Sequence, residues 1–160
     1  MNLDRKALIK RCDKLRQTLA RYEGARKKQG VWYNTCVTCG KVVRCDKANG
    51  GHFVGRACLP LRWDKRNVHC QCVRCNLYKS GAYLEYSQWF IKEYGQKLFD
   101  IYIDKYKDWQ TGKIPPLKIG EIRDIYDELL KEGRELEKRV GSLFPKSWVS
   151  FGPDFIEQSP

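Results

Sequence analysis

Two Cys-x-x-Cys pairs, Cys36-Val-Thr-Cys39 and Cys72-Val-Arg-Cys75, bracket the chain's two histidines, His52 and His69. A Cys-x-x-Cys turn sets two thiolates on one side of a tight knuckle. Two knuckles supply the four corners of a tetrahedron, the geometry zinc takes, and four protein ligands would make that zinc structural, not catalytic. Gly40 after the first pair suits such a turn. The alternatives are buried free thiols and a redox pair, and the second lacks a βαβ context. Cys12, Cys45, Cys58 and Cys70 remain. Cys12 falls on a helix seam and reads as core. Cys45, Cys58 and Cys70 with His69 are candidates for a second zinc site, with reduced, unpaired thiols the favoured reading.

Between and after the pairs stand Gly51-His52-Phe53, Asn67 and Asn76, the asparagines five residues before the second Cys-x-x-Cys and directly after it. This arrangement resembles the HNH nucleases. Phosphodiester hydrolysis needs a base for water and a cation for the developing negative charge, and an imidazole titrating near neutrality suits the base. The resemblance implies that His52 is that base and that Asn67 orients its imidazole through the side-chain carbonyl. It also implies that Asn76 offers its amide oxygen to Mg²⁺ or Mn²⁺. Many HNH enzymes carry an acidic metal ligand just before the first histidine, where this chain has Gly51. A second ligand could come from Asp46, Asp64, His69 or water. For His69, packing or phosphate contact is favoured over metal ligation.

The strings CVTCG, GHF and LRWDKRNVHCQCVRCNLYKSG resemble the phage lambda NinG (Rap) recombination proteins. The likeness runs over about residues 33–140 and is sharpest at 36–81. YSQWFIKEYGQK and the last helix fit more loosely, and the N-terminal helix has no specific match. This resemblance implies cleavage of branched recombination intermediates, Holliday junctions and D-loops, beside other recombination proteins.

The elements that must position these residues follow from periodicity. Residues 3–28 predict a basic helix with Leu8, Cys12, Leu15, Leu19 and Tyr22 on one seam. Residues 31–81, with runs such as Val42-Val43 and His52-Phe53-Val54, read as the cysteine-rich core. Residues 82–140 return to helix: an aromatic stretch over 83–109 broken at Gly95, a stop at Pro115-Pro116, and a last helix marked by Ile122, Tyr126, Leu129, Leu136 and Val140. Residues 141–160, with prolines and glycines, read as a loose or draped tail. The expected class is α+β: a zinc-stapled, treble-clef-like ββα-metal core flanked by N- and C-terminal helices. The 8–22 seam could pack within the chain or form a homodimer interface, and symmetric double cuts favour a C₂ dimer.

Charge points to the partner. Residues 1–30 carry ten Lys/Arg against three acids and residues 31–81 nine against two, whereas residues 82–160 carry twelve against fourteen. A net +14 on the first half implies DNA contact there. Arg56, Arg62, Arg66, Arg74 and Lys79 are the candidate phosphate contacts, and one or two of the helical aromatics are candidates to stack on unpaired bases. No apolar run could span a bilayer and no signal-peptide core is evident, so a cytoplasmic protein in a bacterial host is expected. The competing readings are an HNH nuclease of other specificity (nicking or RecA-assisted), a non-catalytic zinc module that binds DNA or RNA, and a protein-interaction zinc module, against which the basic half speaks.

Overall fold

The computed structural model describes residues 3–151. Helix α1 (Arg5–Tyr22) opens on Asp4, whose side chain accepts from the Ala7 N–H at 2.7 Å. Strands β1 (Arg26–Lys28), β2 (Val31–Thr35) and β3 (Val42–Arg44) form an antiparallel sheet in that order. Strand β4 (Asn49–His52) pairs with β5 (Val68–Gln71), His52 opposite Val68. Between them lies a loop containing the short helix α2 (Leu59–Arg62). A π-helical turn (Arg74–Tyr78) follows β5, then α3 (Tyr83–Tyr94), α4 (Gln96–Gln110) and α5 (Ile119–Val140). The protein is therefore mixed α+β, with helices on either side of its cysteine-rich centre in sequence.

Helix α1 ends earlier than the apolar pattern predicts. Residues 26–28 turn back as β1, because Gln29 (φ 50°) and Gly30 (φ 81°) form a tight left-handed turn joining β1 to β2. The hairpin thus straddles residue 30, where the change in composition suggested a boundary.

The seam question is decided within the chain. Leu8, Cys12, Leu15 and Leu19 are buried against Ile122, Tyr126, Leu129 and Leu136 of α5. The 8–22 seam is therefore not a homodimer interface, since its apolar surface is already covered and pairing copies through it would mean prising α5 away. Gly50 lets α1 lie directly on β4: a Cβ there would stand 2.7 Å from the Gln17 Cα. The aromatic helices form a second core around Phe53, Tyr86, Phe90 and Tyr102. The first part of the tail is draped over the α1–α5 core, with Phe144 buried. Residues 152–160 of that predicted tail lie outside the described residues. Among the described residues, no helix is long and apolar enough to cross a membrane.

Candidate active site and metal cluster

Cys36 follows β2, Cys39 closes the turn after it, and Cys72 and Cys75 flank the step from β5 into the π-helical turn. Their four sulfurs lie within 4.8 Å of one another, and Cys39 and Cys72 Sγ are 3.8 Å apart. A Zn–S bond of about 2.3 Å gives a tetrahedral S···S edge of about 3.8 Å. The cluster could thus bind a metal such as zinc. Burial raises the Cys36 pKa, but the Thr38 hydroxyl and nearby backbone groups outweigh it and bring the thiol down to about 6. Cys39 is the exposed corner. Among the described residues no second cluster forms. Cys45, Cys58 and Cys70 are buried free thiols, pushed up foremost by burial.

His52 ends β4, half-buried, with Nε2 3.0 Å from the backbone carbonyl of Arg62. A carbonyl only accepts, so Nε2 carries the proton and Nδ1 keeps its lone pair. Arg62 is itself clamped. Its Nε and Nη2 donate to the two Asp13 carboxylate oxygens at 2.8 and 2.7 Å, and Trp63 Nε1 donates to the same carboxylate at 2.8 Å. Asp13 of α1 thus reaches His52 through one ion pair and one carbonyl. Nothing in the sequence marks it beyond being one of the few acids in a basic helix.

This geometry corrects two expectations. Arg62 is not a free phosphate contact, because its guanidinium is committed to Asp13 and only 19% of its side chain is exposed. Asn67 does not hold the imidazole. It is fully buried, its Oδ1 accepts from the Val54 N–H at 2.7 Å, and its Nδ2 donates to the carbonyls of Val54 and Leu61, both at 2.9 Å. With the Phe53 N–H donating to the Asn67 carbonyl, it ties off the β4–β5 loop at its root. Asn67 is thus a positioning residue, acting through the loop that supplies the Arg62 carbonyl.

His69 lies inside the aromatic core. Tyr86 donates its hydroxyl hydrogen to the Gly51 carbonyl at 3.0 Å, so it must accept from His69 Nδ1 at 2.8 Å, which leaves Nε2 to accept from Tyr94 at 2.9 Å. Both ring nitrogens are occupied, which leaves none for phosphate or metal. The chain Tyr94–His69–Tyr86 instead pins the strand carrying His52. Gly51 has its own constraint: a Cβ would lie 1.8 Å from Gln71 Oε1, so an acidic residue has no room there. That Gln71 oxygen is buried and has no hydrogen-bond donor among the described residues. Asn76 stands half-buried on the π-helical turn, one residue after Cys75. Asp46 and Asp64 are engaged with Arg44 and Arg66. Arg56 and Arg74 are exposed and form no ion pair among the described residues, whereas Arg66 and Lys79 are in exposed pairs with Asp64 and Glu85. Such pairs are weak and exchange readily for phosphate.

Both histidines are neutral in the fold. Burial pushes His52 down to about 4, against the Arg62 carbonyl and with Arg56 assisting. Burial and then Arg16 push His69 down to about 3, with Asp64 opposing. Unfolded, each titrates near 6.5, so below that pH the unfolded chain takes up protons the fold refuses. The stability contributed is complete above about 6.5 and is lost as pH falls toward those folded values, at about 1.4 kcal/mol per histidine per pH unit. Between pH 7 and 5 the loss should be about 4 kcal/mol. Urea midpoints at the two pH values measure it. His69→Gln, which cannot titrate, should show about half the drop, and an undiminished drop would refute the assignment.

The family described as Bacteriophage Lambda NinG protein matches residues 4–139. Protein ninG of Salmonella phage P22 is 32% identical over 103 residues, covering 62% of this chain and 48% of that protein. Protein ninG of Escherichia phage 933W is 39% identical over 66 residues, 41% of this chain and 32% of that protein. Protein ninG of Escherichia phage lambda is 38% identical over the same length, with the same coverage. The aligned parts thus span a third to a half of these curated relatives. No solved structure matches the chain.

Proposed function

The chain belongs to the bacteriophage lambda NinG family, and from that premise we propose that it is a divalent-metal-dependent HNH endonuclease that cuts branched DNA during phage recombination. The observation that carries this reading is the held imidazole: the Arg62 carbonyl fixes His52 Nε2–H and leaves Nδ1 as a base at the end of the β4–β5 hairpin. The π-helical turn that follows the β4–β5 hairpin carries Asn76 directly after Cys75, and this strand–strand–helical-turn order supports the reading.

In the proposed reaction His52 Nδ1 takes a proton from a water molecule as its oxygen attacks phosphorus. The P–O3′ bond breaks, O3′ takes a proton from solvent, and the products are a 5′-phosphate and a 3′-hydroxyl. Asn67, Asp13 and Arg62 keep the imidazole in place, and Tyr86 keeps its strand in place. The neutral amide oxygen of Asn76 is a hard donor that would suit Mg²⁺ or Mn²⁺. When bound, that cation supplies positive charge against the developing negative charge on the phosphate. A metal at the four cysteines would join the β2–β3 turn to the start of the π-helical turn and so set the span between His52 and Asn76.

One observation favours a second reading, a zinc module that binds DNA without cutting it: Gly51 cannot be replaced by an acidic metal ligand without displacing Gln71. A labelled four-way junction and its component linear duplexes, with and without Mg²⁺, separate the two. Magnesium-dependent cutting of the junction in preference to the duplex is expected. Equal cutting of duplex would keep the nuclease and discard the branched substrate, and binding without cutting in any divalent metal would establish the second reading. Because paired cuts at a junction call for two active sites, sedimentation on the junction should show two copies.

A further inference from the structure

Large exposed apolar side chains are not scattered over this protein. Of the eight exposed among the described residues, five fall within residues 73–84: Val73 (38%), Leu77 (62%), Tyr78 (83%), Tyr83 (52%) and Leu84 (69%). Isolated exposed apolar residues are ordinary, whereas a concentration of them marks a contact surface. The π-helical turn presents Leu77 and Tyr78, and among the described residues the Tyr78 ring has no aromatic or hydrogen-bonding partner. The patch borders the candidate catalytic hairpin, because Tyr83 stacks on Phe53, the residue after His52, at 5.6 Å and 4°.

The same turn walls a cleft of about 440 Å³ beside the cysteine cluster. Five cations line it, Lys41, Arg44, Lys47, Arg74 and Lys79, and no acid does. Arg44 and Lys79 are held only by exposed pairs with Asp46 and Glu85. Arg74 and Lys79 flank Leu77 and Tyr78 on one turn of chain, so the cationic cleft and the apolar edge form one surface. An acidic protein would satisfy the cations but leave a bare tyrosine ring without a purpose. Unpaired nucleotides satisfy both, with phosphate in the cleft and a base face on the ring.

We propose that the 73–84 edge and its cationic cleft bind unpaired nucleotides of a DNA branch, with Tyr78 as the stacking platform. This rests on the DNA reading above and extends it by naming what distinguishes a branch from a duplex. Duplex bases are stacked on each other and cannot offer a face to Tyr78, whereas bases at a crossover or in a displaced strand can.

The test measures binding without magnesium, on the whole zinc-loaded chain, by anisotropy on a four-way junction, a single strand and a blunt duplex. A 2-aminopurine at the branch reports stacking. Tyr78→Ala should weaken junction and single-strand binding by about tenfold to a hundredfold, the worth of one base–aromatic stack, with duplex affinity changed by less than about twofold. It should also abolish 2-aminopurine quenching, and Tyr78→Trp should restore both. Arg74→Gln should weaken all three DNAs alike and flatten the salt dependence. Unchanged affinities, equal losses on duplex and junction, or loss of self-association with DNA binding intact would each overturn the proposal. Failure of the wild-type protein to bind any of these DNAs would instead refute the DNA reading itself. Since Tyr78 is so exposed, its replacement leaves the fold intact, and the unfolding midpoint verifies this.

Discussion

Withdrawing metal from the four-cysteine cluster is expected to unfold the centre of the protein. Cys36 and Cys39 sit after β2, Cys72 follows β5, and Cys75 lies in the first part of the π-helical turn. Among the described residues, the apolar company their core keeps is Ala82 and part of Val43. So small a cluster does little to hold these segments together by burial, and a metal bond there would supply most of what joins them. Structural zinc in small domains contributes on the order of 10–16 kcal/mol, against a total stability of about 5–15 kcal/mol for a typical domain. Protein purified under reducing conditions should carry one zinc per chain. Cys72→Ser and Cys75→Ser should lose it. Residues 31–81 should become open to protease and hydrogen exchange, while α1 and α5, whose shared core contains none of the four cysteines, stay more protected. Because Cys39 is exposed, a chelator should reach the site without prior unfolding. Metal-free protein with an unchanged melting temperature would refute the assignment.

His52→Ala should remove cutting while leaving binding in place. A positioned general base is worth about 10²–10⁴-fold, and the alanine variant should bind junction DNA like wild type at that cost in single-turnover rate. The position of the acid limb is the more specific test. With burial holding His52 near 4, the base stays unprotonated throughout pH 8 to 5.5, and the rate should be flat there at saturating metal. A solvent-exposed imidazole would lose about tenfold in that interval. Asp13→Ala frees Arg62 and loosens the carbonyl that holds Nε2. It should lower the rate on the order of ten- to a hundredfold and, because Asp13 and the Arg62 carbonyl both raise the His52 pKa against burial while the Arg62 cation lowers it, move the acid limb further down, with Asp13→Glu partly restoring both. A structural role alone would leave the limb where it was. An unimpaired His52→Ala would end the nuclease reading through this residue.

Gln71 accounts for a departure that the sequence shows but does not explain. Its buried side chain fills the space an acidic residue at 51 would need, so the glycine before His52 is a packing requirement. The same side chain reaches the Gly81 carbonyl at 2.8 Å, binding the hairpin to the turn that closes the cysteine cluster.

What was legible in the sequence is what near neighbours decide. The two Cys-x-x-Cys knuckles depend on three-residue spacings, the seams of α1 and α5 on helical periodicity, and the break between α3 and α4 on Gly95, which adopts φ 86°. Each is set by local backbone geometry and needs no knowledge of the rest of the chain. What the tertiary structure alone decided are contacts between residues far apart in sequence. Arg62 looked like a DNA contact until Asp13, 49 positions away, took its guanidinium. Asn67 looked like the imidazole's partner until the backbone of Val54 and Leu61 claimed its amide. The α1 seam could have been a dimer face until α5 covered it. A side chain's charge and hydrogen-bonding capacity belong to its residue type, but where they are spent depends on which distant group burial brings within about 3 Å.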